Sequence, residues 1–63
     1  MAIYRCYLLD KEDHIIAPPT LIEAATDEAA IEQASVLCGG EARCSNIEVW
    51  LGDRRVTQIA NAA

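Results

Sequence analysis

Two strand-like runs joined by a Gly-Asp pair narrow the possible folds of this chain more than any other feature. Asn46-Ile47-Glu48-Val49-Trp50-Leu51 alternates polar and apolar, Gly52-Asp53 interrupts it, and Arg54-Arg55-Val56-Thr57-Gln58-Ile59 follows. A Gly-Asp pair between two such runs predicts a two-residue hairpin turn. That register sets Trp50 opposite Arg55 and Val49 opposite Val56. Ile47, Val49, Leu51 and Val56 then share a face, assigned to the core. Trp50 falls on the other face, where Arg55 can lie against its indole as a cation–π partner.

The rest of the chain divides around this hairpin. Residues 3–10, rich in β-branched and aromatic side chains, predict a strand. Tyr4, Cys6 and Leu8 lie on one of its faces, and Ile3, Arg5, Tyr7 and Leu9 on the other. Apolar residues on both faces suggest a central strand, or one covered by a second subunit. After the polar turn Lys11-Glu12-Asp13, residues 14–17 predict a second strand, paired with the first. Pro18-Pro19 ends that pairing, because proline donates no hydrogen bond. Residues 20–25 are compatible with an extended chain. Residues 27–38 predict a helix: Thr26 suits the N-cap, and Asp27 and Glu28 favour the positive end of the dipole. Ala30, Ile31, Ala34, Leu37 and Cys38 form one stripe, and Gly39-Gly40 supplies a left-handed stop. The acidic face of Glu28 and Glu32 is most simply solvated. Residues 60–63 read as a frayed tail.

Strand, strand, helix, strand, strand predicts an α+β fold of ββαββ type: an antiparallel four-stranded sheet with one helix on one face. The chain, residues 1–63, is a single domain. One helix covers one face. The other carries Trp50 and Ile59, with Tyr4 or Tyr7, and an open apolar patch on so small a protein marks an interface. Energetics point the same way: apolar burial contributes about 90 kcal/mol and ordering 63 residues costs about 95. A homodimer is therefore expected.

Composition excludes several functions. The formal net charge is -5, with five Lys and Arg in total. Phosphate recognition needs clustered cations, so nucleic acid is not an expected partner. No apolar run is long enough to span a bilayer. Met1-Ala2-Ile3-Tyr4-Arg5 lacks the basic stretch and long apolar run of a secretory signal. The three cysteines, Cys6, Cys38 and Cys44, cannot all pair with one another. The simplest expectation is free buried thiols in a cytoplasmic protein; a Cys38–Cys44 bridge across Gly39-Gly40 is the lesser alternative. Cys38 and Cys44 are spaced too widely for a zinc knuckle, and His14 has no partner at helical spacing. Neither a metal nor a cofactor is expected.

The candidate binding residues are Trp50, Arg55, Tyr7 and Tyr4, since Trp, Tyr and Arg anchor interfaces. A core tryptophan with a satisfied indole N–H is the competing reading. His14, near Asp10 and Asp13, is a weaker candidate as a base or pH sensor; a solvated turn residue explains it more simply. Cys44 is weaker still as a nucleophile, because it follows a helix C-terminus, the wrong end of the dipole. No nucleophile, base and stabiliser occur together, so an enzyme is not expected. The expected role is a non-enzymatic, self-associating protein-binding module, with a small-molecule ligand between protomers as the alternative.

Tyr4, Tyr7 and Asp10, then His14-Ile15, then Asp27-Glu28-Ala29-Ala30-Ile31, then Glu48-Val49-Trp50 and Gly52 form a wider pattern. It resembles a set of very small uncharacterised alphaproteobacterial proteins of rhizobial type. The resemblance covers most of the chain and implies a bacterial source and this fold, with no catalytic residues. The sequence departs from that pattern by lacking a glycine before His14 and by carrying Pro18-Pro19.

Overall fold

A computed structural model describes residues 1–39 and 41–61. Strand β1 spans Ala2–Leu9, β2 Thr20–Ala24, helix α1 Asp27–Ala34, β3 Asn46–Leu51 and β4 Arg54–Ala60. The strands form one antiparallel sheet in the order β2-β1-β3-β4, with α1 packed on one face. This is the expected ββαββ architecture. Strand β1, apolar on both faces, is paired on both sides. The accessible surface of 4064 Å² is what size scaling gives for a compact monomer, about 4,000 Å².

The second strand lies later than residues 14–17. A hairpin does begin there: Ile15 bridges Leu9, and the Ile16 amide donates to the Leu8 carbonyl at 3.0 Å. Pro18 and Pro19 then follow without amide hydrogens, and continuous pairing resumes only at Thr20. The turn itself is built by Asp10. Its Oδ1 accepts from the amides of Glu12 and His14, both at 2.9 Å. Asp13 adopts φ 64°, a left-handed conformation that Asp tolerates better than most residues. It occupies the position before His14 at which a glycine was noted as lacking.

Helix α1 starts as its residues dictate. The Thr26 side chain accepts from the Ala29 amide at 3.1 Å, and Asp27 and Glu28 occupy the first turn. Its end is earlier than residue 38. Ser35 is the C-cap, and the chain continues through tight four-residue turns, the Leu37 amide donating to the Ala34 carbonyl and the Gly39 amide to the Val36 carbonyl. Gly39 does not take a left-handed φ, so it is not the expected stop. Gly40 lies outside the described residues, as do Ala62 and Ala63 of the expected tail.

These turns bring Cys38 to Cys44, and the two form a disulfide with Cα atoms 5.5 Å apart. The expectation of three free thiols is corrected here: only Cys6 is free, and it is buried. The inference from free thiols to a reducing compartment rests on that residue alone.

The core lies between α1 and the sheet. Tyr4, Cys6 and Leu8 of β1 meet Ile22 and Ala24 of β2, Ile47 and Val49 of β3, and Ala30 and Ala34 of the helix. The alanines let α1 lie close to the strands. Leu51 and Val56 pack at its margin rather than inside it, and so does Ile59, which pairs with Ile47 on the helix side instead of lying on the open face. The Gly52-Asp53 turn forms as expected, with φ 63° at Gly52, a positive φ at the first central position that suits glycine. Trp50 pairs with Arg55, but Val49 pairs with Thr57 instead of Val56, because a bulge intervenes after Val49.

Candidate functional site

Strict alternation decides which side chains face away from the helix. In β1 these are Ile3, Arg5 and Tyr7, and in β3 Glu48 and Trp50. The pairing sets Arg5 beside Trp50 and Tyr7 beside Glu48. Across the hairpin, Trp50 also meets Arg55, and Glu48 meets Gln58. Trp50 is thus flanked by an arginine on each neighbouring strand.

The polar groups of this face interlock. The Trp50 indole N–H donates to Glu48 Oε1 at 3.1 Å. Arg55 Nη1 lies 3.4 Å from Glu48 Oε2. One carboxylate therefore holds both the indole and the guanidinium, and the expected contact of Arg55 with the Trp50 ring is replaced by this ion pair. The cation–π contact occurs elsewhere, with the Arg5 guanidinium 5.8 Å from the Tyr7 ring centre. Arg5 Nη1 also donates to the Tyr7 hydroxyl at 3.0 Å, and Nη2 donates to the Gly52 carbonyl. These bonds fix the rings without covering them.

Around this cluster the surface is apolar and open. Ile3 is 50% exposed, Ile15 58% and Leu21 65%. A shallow depression of ≈ 420 Å³ lies between Arg5, Tyr7, Ile15, Glu48, Trp50 and Asp53. A larger one, ≈ 860 Å³, lies at the loop end of the molecule among Asp10, Lys11, Glu41, Arg43 and Cys44. It has charges of both signs and no aromatic wall, so it lacks the rigid anchors that concentrate binding energy.

Of the sequence candidates, the structure brings Trp50, Arg55 and Tyr7 onto one face. Tyr4 is elsewhere. It is 2% exposed on the helix side of the sheet, where its hydroxyl donates to Asp27 Oδ1 at 2.8 Å. That hydrogen bond, helped by burial, raises the Tyr4 pKa. Its role is to tie β1 to the start of α1, and Arg54 approaches the same carboxylate at 3.5 Å from β4. Tyr4 faces the core because it alternates with Ile3 and Arg5, so a strand that presents Tyr7 outward must turn Tyr4 inward.

His14 is solvent-exposed, with Nδ1 3.7 Å from Asp10 Oδ2. Asp10 has its pKa lowered by the His14 and Glu12 amides, as a turn-forming carboxylate should. Cys44 is in the disulfide and buried, so no thiol is presented there. Cys6 has its pKa raised by burial. Among the described residues, no three His, Cys, Asp or Glu side chains cluster to hold a metal. No helix among them is long and apolar enough to cross a membrane. Arg5 and Glu48 belong to the site although sequence reasoning gave neither a binding role. Arg5 is brought there by β1 pairing with β3, which no local signal sets; Glu48 follows from the hairpin itself, two residues from Trp50 on its own strand and across from Arg55.

Comparison with protein-family models, with curated proteins and with solved structures finds no match for this chain.

Proposed function

We propose that this chain is a small non-enzymatic module that self-associates, and that it binds a protein partner through the sheet face opposite its helix. The observation that carries the reading is the composition of that face. Trp50, Tyr7, Arg5 and Arg55 are preordered by their own hydrogen bonds, and Ile3, Ile15 and Leu21 around them stay wet. Rigid aromatic and arginine anchors within an apolar surround are the makeup of an interface hot spot. An apolar face that the other described residues leave open gains most from a macromolecular partner.

A second reading, a small ligand held between protomers, is favoured by the ≈ 420 Å³ depression beside Trp50. Its volume falls within the usual range for ligand sites, but it is shallow, and a second surface would have to close it.

The test is site-specific photo-crosslinking in cells. A photoreactive side chain at Leu21, on the open face, is compared with one at Glu32, on the exposed side of α1. Discrete adducts from position 21 that are absent from position 32, and lost on Trp50→Ala, support the reading. Identical adduct patterns from both positions sink it.

A further inference from the structure

The sheet order leaves two strand edges, β2 and β4, and the hydrogen bonds show which backbone groups each offers. The Asn61 amide donates to the Ser45 carbonyl at 2.9 Å, and the adjoining register pairs Asn46 with Ala60 and Ile47 with Ile59. Bonded and non-bonded pairs alternate along an antiparallel ladder. Ile59 and Thr57 therefore turn their backbone groups toward β3. Gln58 and Ala60 turn theirs outward, off the edge of the sheet.

The two edges are treated differently. Strand β2 has five residues, is preceded by Pro18-Pro19, and has its Glu23 carbonyl occupied by the Gln33 amide at 3.2 Å. Short length, proline and a covering side chain are the usual guards against edge pairing. Strand β4 has seven residues. Its bulge and both its charges lie at the hairpin end, leaving Thr57-Gln58-Ile59-Ala60 neutral and unguarded. Helix α1 packs over β2 and β3, so Val56 and Ile59 on the helix side of β4 remain only partly buried.

We infer that β4 is the self-association element: two copies pair their β4 strands antiparallel about Gln58 to form one continuous eight-stranded sheet. This rests on the self-association proposed above and names the surface that performs it. The strand suits its own copy. Pairing centred on Gln58 sets Gln58 against Gln58 of the second copy, so its outward amide and carbonyl find partners, with the bulged Val56 at the margin of the paired stretch. Thr57 meets Ile59, so no like charges are opposed. Charge does not oppose the pairing: Arg54 and Arg55, at the hairpin end of β4, are matched within the chain by Asp27 and Glu48. The two-fold axis stands perpendicular to the sheet. Both helices then lie on one side and both Trp50 faces on the other, giving a doubled open face for a partner.

The experiment is light scattering on the full chain at about 100 µM, with two variants beside the wild type. In Gln58→Pro, proline removes an amide that β3 does not use, and such outward positions tolerate proline. Wild type and Glu32→Ala, a change on the exposed side of α1, are expected to be dimers. Gln58→Pro, checked as folded by circular dichroism, is expected to dissociate about a hundredfold more readily, the equivalent of two lost backbone bonds. A folded Gln58→Pro that dimerises as well as wild type overturns the edge assignment while self-association stands. A monomeric wild type overturns self-association itself. Should Gln58→Pro fail to fold, amide exchange in the wild-type dimer decides: slow exchange at Gln58 supports the edge, and fast exchange there refutes it.

Discussion

Opening the Cys38–Cys44 bridge should lower stability by an amount the structure lets us work out. The cysteines are six positions apart, so the bridge closes a small loop between α1 and β3. Loop-closure entropy for so short a ring gives about 2 kcal/mol at 25 °C. In a domain of this size, 1 kcal/mol moves the melting midpoint by about 4–8 °C, so reduction should lower it by about 8–16 °C. Reduction is a better perturbation than substitution, because both sulfurs are buried in the core and truncating them would add a packing cost. The assay is thermal unfolding by circular dichroism with and without a phosphine reductant, paired with thiol titration. Unreduced protein should show no fast-reacting thiol when folded and one, Cys6, when unfolded; reduced and unfolded protein should show three. Equal midpoints, or three thiols in unfolded protein purified without reductant, would refute the reasoning.

Further expectations concern pH and turns. The Tyr4 pKa is raised from 10.0 by its bond to Asp27. Its contribution is present below pH 10 and lost as pH rises through the folded value. Tyr4→Phe should lower stability at neutral pH and flatten the alkaline fall in a melting series. The Asp10 pKa is lowered from 3.8 by the His14 and Glu12 amides. That stabilisation is present above pH 3.8 and disappears as pH falls through the folded value. Asp10→Asn should therefore flatten the acid limb, which denaturation between neutral and acid pH will show. At Gly52 a Cβ would meet nothing within 4 Å, but φ is 63°. Gly52→Ala should cost about 1–2 kcal/mol through backbone strain alone, measured by urea unfolding. Asp13, also at positive φ, should accept Gly without loss in the same assay.

The C-terminal hairpin was legible because its signals are local. A glycine at the turn and period-2 alternation along Asn46–Leu51 set both the turn and the face of Trp50. The bulge after Val49 follows from the other strand: Val56 and Ile59 are three positions apart, so strict alternation would put them on opposite faces, and the extra residue lets both pack against the core. The first hairpin misled. Ile15 and Ile16 look like a strand and do begin one, but two prolines postpone the continuous ladder to Thr20. The helix overran in the reading because Leu37 and Cys38 continue the apolar stripe, whereas the chain breaks into tighter turns that bring Cys38 to Cys44. At the site, Trp50 with Arg55 came from the hairpin alone. Arg5 joined only through the β1–β3 pairing, a long-range contact, Glu48 was within reach of the hairpin reading as the same-face neighbour of Trp50, and Tyr4 was lost to the core by its own alternation.

The account's central claim is that this chain acts as a self-associating binding module. Native mass spectrometry of gently purified protein tests it most directly. The account predicts a species of two chains with no added mass. A single chain across the accessible concentrations would contradict it, and a small molecule retained between two chains would replace the protein-binding reading with the ligand-binding one.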